Sequence, residues 1–504
     1  MAKRYKIHPG LGIARIGNSP SGFFVAAETP GSAPVEIGAG GQEAVLTHYK
    51  DAQGRLKRQG TRFRVFEYEV DAAGERLLRE ITGVDAVITW TVELANTKAA
   101  GNALVDAQGG QLLFPDGPPR NPDANRADLA ITPTLPPISG PDRSQAEAPS
   151  GRYRGKAVKI GELRTDSAGR LIVLGGQGVS ESYPTVSPIV TFANNADWHD
   201  DVADGPVDAT LTFPGQAPIA VDYGSWVVVA PPDFAPAVQG LASIYDVACS
   251  AIAEANWPPA APSYQLDILP ILKRAVNLRW AQKYPYWNGF PKAFDVLGAK
   301  GAAGDAARAM AYAKLIDIEQ SQKLLNFHFT RLQRQHLDDW KAGNFADDYD
   351  PAPPAPVFGP ESLDRAALEP CVGGGWYPGI EAGVLLTTPA LWSELCRPTR
   401  AAFDDRGHQV TPRAGYLTER MACPWQADFF ECAGAWWPAQ RPDKVFVGMP
   451  PGSTAQDWIA GIASHEDLVA NFWKLGILTS AGNAPDGLPA YLETERDASL
   501  PHQV

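Results

Sequence analysis

The chain has 504 residues, of which 44% are hydrophobic and 20% are charged, so its composition is that of a folded protein and excludes global disorder. Its formal net charge is −13 and it has no basic run, which argues against nucleic-acid binding. No stretch reaches the roughly 18 apolar residues of a membrane span, and the N-terminus lacks the apolar stretch of a signal peptide. The five cysteines predict a reducing, cytoplasmic location, because a disulfide scaffold needs more.

The N-terminal half, residues 1–250, is predicted to be rich in strands. Short runs of β-branched and aromatic residues recur there, separated by Gly, Pro, Asp and Asn. The predicted strands are residues 63–70, 86–92, 170–174, 189–193, 209–213 and 226–229. Residues 114–150 are dense in Pro and Asp and are interpreted as a long ordered connection.

The middle of the chain, residues 251–350, changes to helical patterning. Residues 266–280 carry apolar side chains at helical spacing with Pro270 in the first turn, and residues 304–340 predict one or two further helices. The Pro-rich stretch 351–360 is either a linker or a rigid crossing. With a turn-rich, aromatic C-terminal third (351–504), the predicted fold class is α+β, in one compact multi-layer unit.

One C-terminal helix is predicted in detail. Ser464 and Asp467 match a capping box at its start, and Gly476 stands where a left-handed cap belongs. His465 and Trp473 lie eight residues apart and share one face of this helix, about 12 Å apart along its axis. They are therefore aligned, but too far apart for direct contact.

Two clusters of reactive side chains are candidates for chemistry. His199, Asp200, Asp201 and Asp204 form either a metal site or a turn whose carboxylates accept from loop amides. The turn is favoured, because no glycine-spaced calcium loop is visible.

The second cluster places Asp428 four residues before Cys432 in an aromatic segment. A carboxylate raises a thiol pKa, so this pair does not fit a cysteine protease. Asp428 makes better sense as a base that acts on another group.

Several blocks resemble one known family. Residues 7–19 (IHPGLGIARIGNS) and 23–28 are similar to the start of the lysine ε-oxidase and glycine oxidase family, whose members carry cysteine tryptophylquinone (CTQ). Further similar blocks are 198–207, 226–236, 371–381, 424–428 and 436–442. The resemblance spans nearly the whole chain, although this chain is shorter than other members.

The resemblance implies that a cysteine four residues after an aspartate forms a thioether with a downstream tryptophan, whose indole becomes the quinone. Cys432 fits as the thiol, and Trp473 is the first choice for the indole, with Trp458 the second. Trp436 and Trp437 are interpreted as packing residues. Cys371 is a rival thiol, ranked lower because it lacks an aspartate four residues before it.

The implied reaction is the oxidation of an amino acid or primary amine by O2, with release of H2O2 and ammonia. Asp428 would serve as the base in both cofactor maturation and proton abstraction, and His465 is a weaker candidate for the cavity wall. The resemblance also implies a flavoprotein maturation partner and a homo-oligomer. Two alternatives stay open: a CTQ-bearing, catalase-like enzyme acting on hydrogen peroxide, and a non-catalytic member without a quinone.

Overall fold

The structure is a computed structural model. It describes residues 2–107, 111–113, 117–282, 285–320, 327–375, 377–382, 385–400, 412–431, 439–448 and 454–502. Of the predicted site residues, Cys432 lies outside the described residues, as do Trp436 and Trp437.

Strands dominate the first half of the chain and helices follow them. The N-terminal strands are β1 Ala2–His8, β2 Leu11–Arg15, β3 Phe23–Val25, β4 Val35–Ile37, β5 Glu43–Val45, β6 Arg58–Asp71, β7 Gly74–Ile81, β8 Val87–Val92, β9 Val105–Ala107, β10 Gln111–Leu113, β11 Ile138–Ser139, β12 Gly151–Tyr153, β13 Lys156–Val158, β14 Gly161–Thr165, β15 Leu171–Gly175, β16 Glu181–Ser182, β17 Trp198–His199, β18 Ala203–Thr212, β19 Ile219–Ala220 and β20 Ser225–Ala230. The later strands are β21 Trp392–Glu394, β22 Arg397–Pro398, β23 Lys444–Val447, β24 Thr454–Asp457, β25 Ile477–Asn483 and β26 Pro489–Thr494. The α-helices of the described residues are α1 Arg126–Leu129, α2 Ile244–Ala253, α3 Leu269–Asn277, α4 Phe294–Gly298, α5 Ala302–Gln320, α6 Arg331–Ala342, α7 Pro360–Leu368, α8 Trp425–Glu431 and α9 His465–Asn471.

A mixed sheet of 14 strands organises the N-terminal half, with β6 as its hub. β6 pairs antiparallel with β1, β7 and β15 and parallel with β3, while β2 runs parallel to β20. Most of β6 is buried, including Phe63 and Val65, because neighbouring layers cover it. The α+β fold predicted from the sequence is confirmed.

Five of the six predicted strands coincide with β6, β8, β15, β18 and β20. The prediction for residues 189–193 was wrong, because side chains take the backbone bonds that a strand would need. Asn195 Oδ1 accepts from the amides of Val190 (2.9 Å) and Thr191 (3.0 Å), and Thr191 Oγ1 accepts from the Asn194 amide at 2.8 Å. This local bonding closes a loop that competes with pairing.

The helical middle follows the sequence pattern. Pro270 lies in the first turn of α3, after a π-helix at Tyr264–Ile268, and the segment 304–340 contains α5 and α6. One continuous hydrophobic core joins the sheet, these helices and the C-terminal third. Among the described residues, no helix is both long and apolar enough to cross a bilayer.

The C-terminal third returns to the sheet through α7, which packs on β2. Asp364 of α7 accepts from the Gly10 amide at 2.7 Å and lies 2.9 Å from His8 Nδ1. These contacts bring the segments after residue 370 to the end of β2. The division of the chain at residues 250 and 350 stays a prediction.

Candidate active site

Helices α8 and α9 pack antiparallel and form the frame of the predicted site. The Trp425 ring, at the start of α8, lies 5.4 Å from the ring of Phe472, just after α9. At the other end, the Phe430 ring lies 4.6 Å from the His465 imidazole. The end of α8, where Cys432 follows Glu431, is therefore next to the start of α9.

The first turn of α8 is fixed to the N-terminal half by buried polar contacts. Asp200 Oδ2 accepts from the Trp425 amide at 3.0 Å and also forms an ion pair with Lys98, and both charged side chains are fully buried. Next to it, Ser180 Oγ donates to Gln426 Oε1 at 3.0 Å. We call residues 198–204 the anchor segment, because they hold α8 in place.

The other members of the anchor segment also bind protein groups. Asp201 Oδ2 accepts from the amides of Gly178 (2.6 Å) and Val179 (3.1 Å). His199 Nε2 lies 3.3 Å from Glu181, and burial lowers the pKa of this histidine. Within the described ranges, no group of His, Cys, Asp and Glu side chains is arranged to hold a metal ion.

Asp204 closes the segment with four accepted hydrogen bonds. Its donors are the Thr418 amide and hydroxyl, the Leu417 amide and the Trp226 indole N–H. The favoured interpretation of this cluster, carboxylates that accept from loop amides, therefore agrees with the contacts of Asp201 and Asp204. Burial raises the pKa of Asp201 to about 7 and that of Asp204 to about 6.

Asp428 lies in the middle of α8 and is 2% exposed. Its Oδ2 accepts from the Gly379 amide at 2.9 Å. A Cβ at position 379 would come within 2.6 Å of the same oxygen. Glycine is thus required there, because only the bare backbone can approach the carboxylate this closely.

Trp473 lies in a 3-10 helix, Phe472–Lys474, directly after α9. Its indole N–H donates to the Ala470 carbonyl at 3.1 Å, so the ring turns back along α9. Its neighbour Phe472 packs on Trp425, at the start of α8.

The face that His465 and Trp473 were predicted to share requires one continuous α-helix, and that part of the prediction was wrong. The α-helix ends at Asn471 and the chain continues in a tighter 3-10 turn, which breaks the spacing of eight residues. His465 packs on Phe430, and its Nε2 lies 2.8 Å from Glu431. This contact places it beside the end of α8 that precedes Cys432.

At the start of α9 the predicted serine cap is present but the reciprocal bond of a capping box is not, and the cap predicted at its end was wrong. Ser464 Oγ accepts from the Asp467 amide at 3.1 Å, but Asp467 accepts from the Ala463 amide and not from that of Ser464. Gly476 has no left-handed conformation. A Cβ there would meet the Glu493 side chain at 2.3 Å, so a close approach of β26 requires glycine at this position.

The rival thiol and the second-choice indole are both held in the core. Cys371 Sγ donates to the Ala367 carbonyl at 3.4 Å, and burial together with the Glu381 carboxylate raises the pKa of this thiol. The Trp458 indole donates to the Gly476 carbonyl at 3.0 Å and its ring lies 4.9 Å from Phe234. A neutral, buried thiol is a poor nucleophile.

The sequence interpretation missed a buried charged group next to Cys371. Arg15 Nη2 donates to Glu381 Oε1 at 2.6 Å and lies 3.8 Å from Cys371 Sγ. Arg15 and Glu381 are 4% and 1% exposed, so this is a buried ion pair. Asp233 lies close enough to raise the pKa of Arg15. All four residues belong to the blocks that carry the family resemblance, which is the feature that could have identified them.

Comparisons with known proteins match most of the chain. Residues 8–229 match the family described as L-Lysine epsilon oxidase N-terminal, and residues 310–454 match the L-lysine epsilon oxidase C-terminal domain. The L-lysine 6-oxidase of Marinomonas mediterranea is 26% identical over 678 aligned residues, covering 98% of this chain and 90% of that protein.

Solved structures match the fold over the same length. The crystal structure of the L-Lys epsilon-oxidase from Marinomonas mediterranea has a TM-score of 0.78 at 23% identity, covering 98% of this chain and 95% of that one. The structure of the Schiff base intermediate of that enzyme with L-Lys gives the same values. These matches support the arrangement of sheet and helices described above.

Proposed function

The chain belongs to the L-lysine ε-oxidase family, and we propose that it is a CTQ-dependent oxidase of an amino acid or primary amine. One observation carries the proposal: Asp428 and Cys432 lie within the C-terminal family match, and Asp428, four residues before Cys432 in the sequence, is buried. In the overall reaction, one protonated amine, one O2 and one water give one aldehyde or oxo acid, one ammonium ion and one H2O2. The two electrons come from the C–H bond of the carbon that bears the amine, and they pass to oxygen.

Oxidation of this kind needs an electron acceptor that no ordinary side chain provides. CTQ supplies an electrophilic carbonyl and a two-electron acceptor when it is formed. Cys432 would hold it through the thioether, at the end of α8 beside His465. The chain between Cys432 and the indole would become a covalent loop, which fixes the ring plane and preorganises the reacting carbonyl.

Asp428 is the base in this proposal. The Gly379 amide orients its Oδ2, and the side chain is 2% exposed, so little water competes for it. A positioned general base contributes about 10²–10⁴ in rate at a proton-transfer step. Asp428 would take the proton from the carbon that bears the amine.

The indole partner is assigned by the resemblance, which gives Trp473. This residue follows α9 directly and lies beyond residue 454, where the C-terminal match ends. The proposal therefore commits to Cys432 and Asp428, with Trp473 as the first candidate for the indole. A flavoprotein maturation partner, a homo-oligomer and a cytoplasmic location complete the proposal.

Peptide mapping by mass spectrometry tests the cofactor directly. We expect chain co-expressed with its maturation partner to absorb in the visible and to contain a peptide pair joined at Cys432, carrying two added oxygen atoms. Cys432→Ala should lose the crosslink, the absorbance and peroxide release with amines. The matched control, Cys371→Ala, should keep the crosslink, because that thiol bonds only within the core.

Each mapping result has one meaning. A Cys432–Trp473 crosslink supports the whole assignment. A crosslink from Cys432 to Trp436, Trp437 or Trp458 keeps the quinone and replaces Trp473. Unmodified Cys432 in fully matured material overturns the proposal. Oxygen evolution from peroxide without oxidation of amines would favour the catalase-like alternative.

A further inference from the structure

A large cavity opens beside the sheet, on the side of the molecule where Arg15 and Cys371 lie. Its volume is about 1030 Å³. The walls come from residues 26–34, residues 46–49, the β25–β26 hairpin and the end of α7. Apolar side chains such as Ile13, Ala237 and Ala366 contribute to the lining, so the space suits an aliphatic chain with a polar end.

Almost every charged group that lines this cavity is already neutralised by a neighbour. Glu28 pairs with Arg64 at 2.7 Å, and Glu369 pairs with Arg365 at 2.9 Å. Glu495 accepts from two backbone amides at 3.0 and 2.8 Å and lies 4.0 Å from His48 Nδ1. These carboxylates therefore bind groups of the protein and are not available to pair with a charged ligand.

Arg15 is neutralised in the same way. Its guanidinium donates to Glu381 at 2.6 Å and to the Pro231 carbonyl at 3.1 Å. Because both members of the Arg15–Glu381 pair are buried, their charges cancel within the protein. Arg15 is thus not a binding group for the carboxylate of a ligand.

Asp233 is the exception. It is half-buried and lines the cavity, and its Oδ1 accepts from the Ala235 amide at 2.8 Å. Within the described part of the chain, no Lys, Arg or His nitrogen lies within ion-pair distance of this carboxylate. Its pKa is raised to about 6 by burial, which still leaves it ionised at neutral pH. A carboxylate in a cavity without a counter-ion calls for a cation from outside the protein.

We propose that Asp233 binds the ammonium group of a protonated amine in this cavity. The inference rests on the proposed function, because it gives an amine oxidase a recognition group for its substrate class. Asp428 and Trp473 are not among the residues that line the cavity. Asp233 therefore recognises an ammonium group and takes no part in the oxidation.

The position of Asp233 connects the cavity to α8. The next residue, Phe234, packs its ring 6.4 Å from that of Phe429 on α8 and 4.9 Å from Trp458. The loop after β20 that presents Asp233 to the cavity thus also packs, through Phe234, on the helix that carries Asp428. A ligand held at Asp233 lies against the back of the proposed active site.

Calorimetric titration with an unreactive cation tests this inference. N,N-dimethylbutylammonium carries the positive charge and one N–H but cannot condense with a carbonyl, so its binding reports recognition alone. We expect Asp233→Asn to weaken this binding about tenfold or more, as removal of one partner of a charge pair does. The neutral probe 1-pentanol should bind the two proteins equally.

Two controls exclude general effects. Asp123→Asn removes the same charge from an exposed position, and Ser480→Ala alters the cavity wall without changing charge. Both should bind the cation as the unmodified chain does. Equal binding by the unmodified chain and Asp233→Asn, or no binding to either, would overturn the inference.

Cys432→Ala separates this inference from the proposed function. It should still bind the cation in an Asp233-dependent way while it loses oxidation. If mapping finds the quinone and Asp233→Asn binds normally, only the role of Asp233 fails. If mapping finds no quinone and Asp233→Asn loses the cation, only the oxidase proposal fails.

Discussion

The anchor segment and the cavity group, which consists of Arg15, Glu381 and Asp233, both contain carboxylates that are at least half-buried, but they use them in opposite ways. In the anchor segment, Asp200 has Lys98 as its counter-ion and Asp204 accepts four hydrogen bonds. In the cavity group, Arg15 and Glu381 neutralise each other, and Asp233 is left with one backbone amide.

The difference separates carboxylates that hold the fold from a carboxylate that can hold a ligand. A paired, fully buried charge cannot leave its partner without a large loss of stability. A carboxylate that faces a cavity and has no counter-ion in the described protein can form an ion pair with a cationic ligand. Removal of the Asp200 charge should therefore destabilise the fold, whereas removal of the Asp233 charge should stabilise it slightly at alkaline pH.

The largest effect is expected for Asp200→Asn. It removes the negative charge from a fully buried ion pair and leaves Lys98 without its counter-ion. Removal of one partner of such a pair costs about 3–5 kcal/mol. Chemical denaturation at pH 7 should show this loss in the free energy of unfolding.

A surface pair provides the control for that substitution. Asp208 pairs with Arg400 at 2.9 Å, and both side chains are more than two-fifths exposed. Asp208→Asn should change the free energy of unfolding by less than about 1 kcal/mol, because water screens exposed pairs. Similar losses from the two substitutions would contradict the anchoring role of Asp200.

The sequence predicted elements well where local pattern decides and failed where distant contacts decide. Alternation of apolar residues identified β6 and β20, and proline placed the start of α3. Gly476 was taken as a helix cap because its conflict with Glu493 arises only when β26 folds onto β25.

The same limit applies to the candidate site. Asp428 and Cys432 were identified from their spacing of four residues, which a sequence shows directly. Whether Asp233 has a counter-ion depends on Arg15 and Glu381, which pair with each other across 366 positions of sequence. Whether a carboxylate is neutralised by a distant arginine is a property of the folded chain, so composition and spacing do not reveal it.

The next largest effect is expected for Asp201→Asn, in the pH dependence of the free energy of unfolding. Burial raises the pKa of this group to about 7 in the folded chain, from an ordinary value of 3.8. The folded state therefore binds this proton more tightly than the unfolded chain does. The stabilisation that results is fully present below about pH 4 and is lost as the pH rises to about 7. Asp201→Asn removes this titration, a difference on the order of 2–4 kcal/mol across the window at about 1.4 kcal/mol per pKa unit.

Denaturation at pH 4.5 and pH 7.5 measures that difference. The free energy of unfolding of the unmodified chain should fall more between the two pH values than that of Asp201→Asn. Asp204 and Asp233 titrate near pH 6 in both proteins, so the comparison isolates Asp201. Parallel pH profiles would show that Asp201 is ionised in the folded chain throughout.

The smallest effect, opposite in sign to that of Asp200→Asn, is expected for Asp233→Asn. The groups that face this carboxylate are Arg15, Glu381, Cys371 and Tyr49, and its pKa is raised to about 6. The unmodified chain therefore loses stability as pH rises through 6, whereas Asp233→Asn does not. At pH 8 the variant should be more stable by less than about 1 kcal/mol, since solvent in the cavity screens the charge. A loss of several kcal/mol in the free energy of unfolding at pH 8, like that expected for Asp200→Asn, would mean that Asp233 stabilises the fold and is not available to bind a ligand.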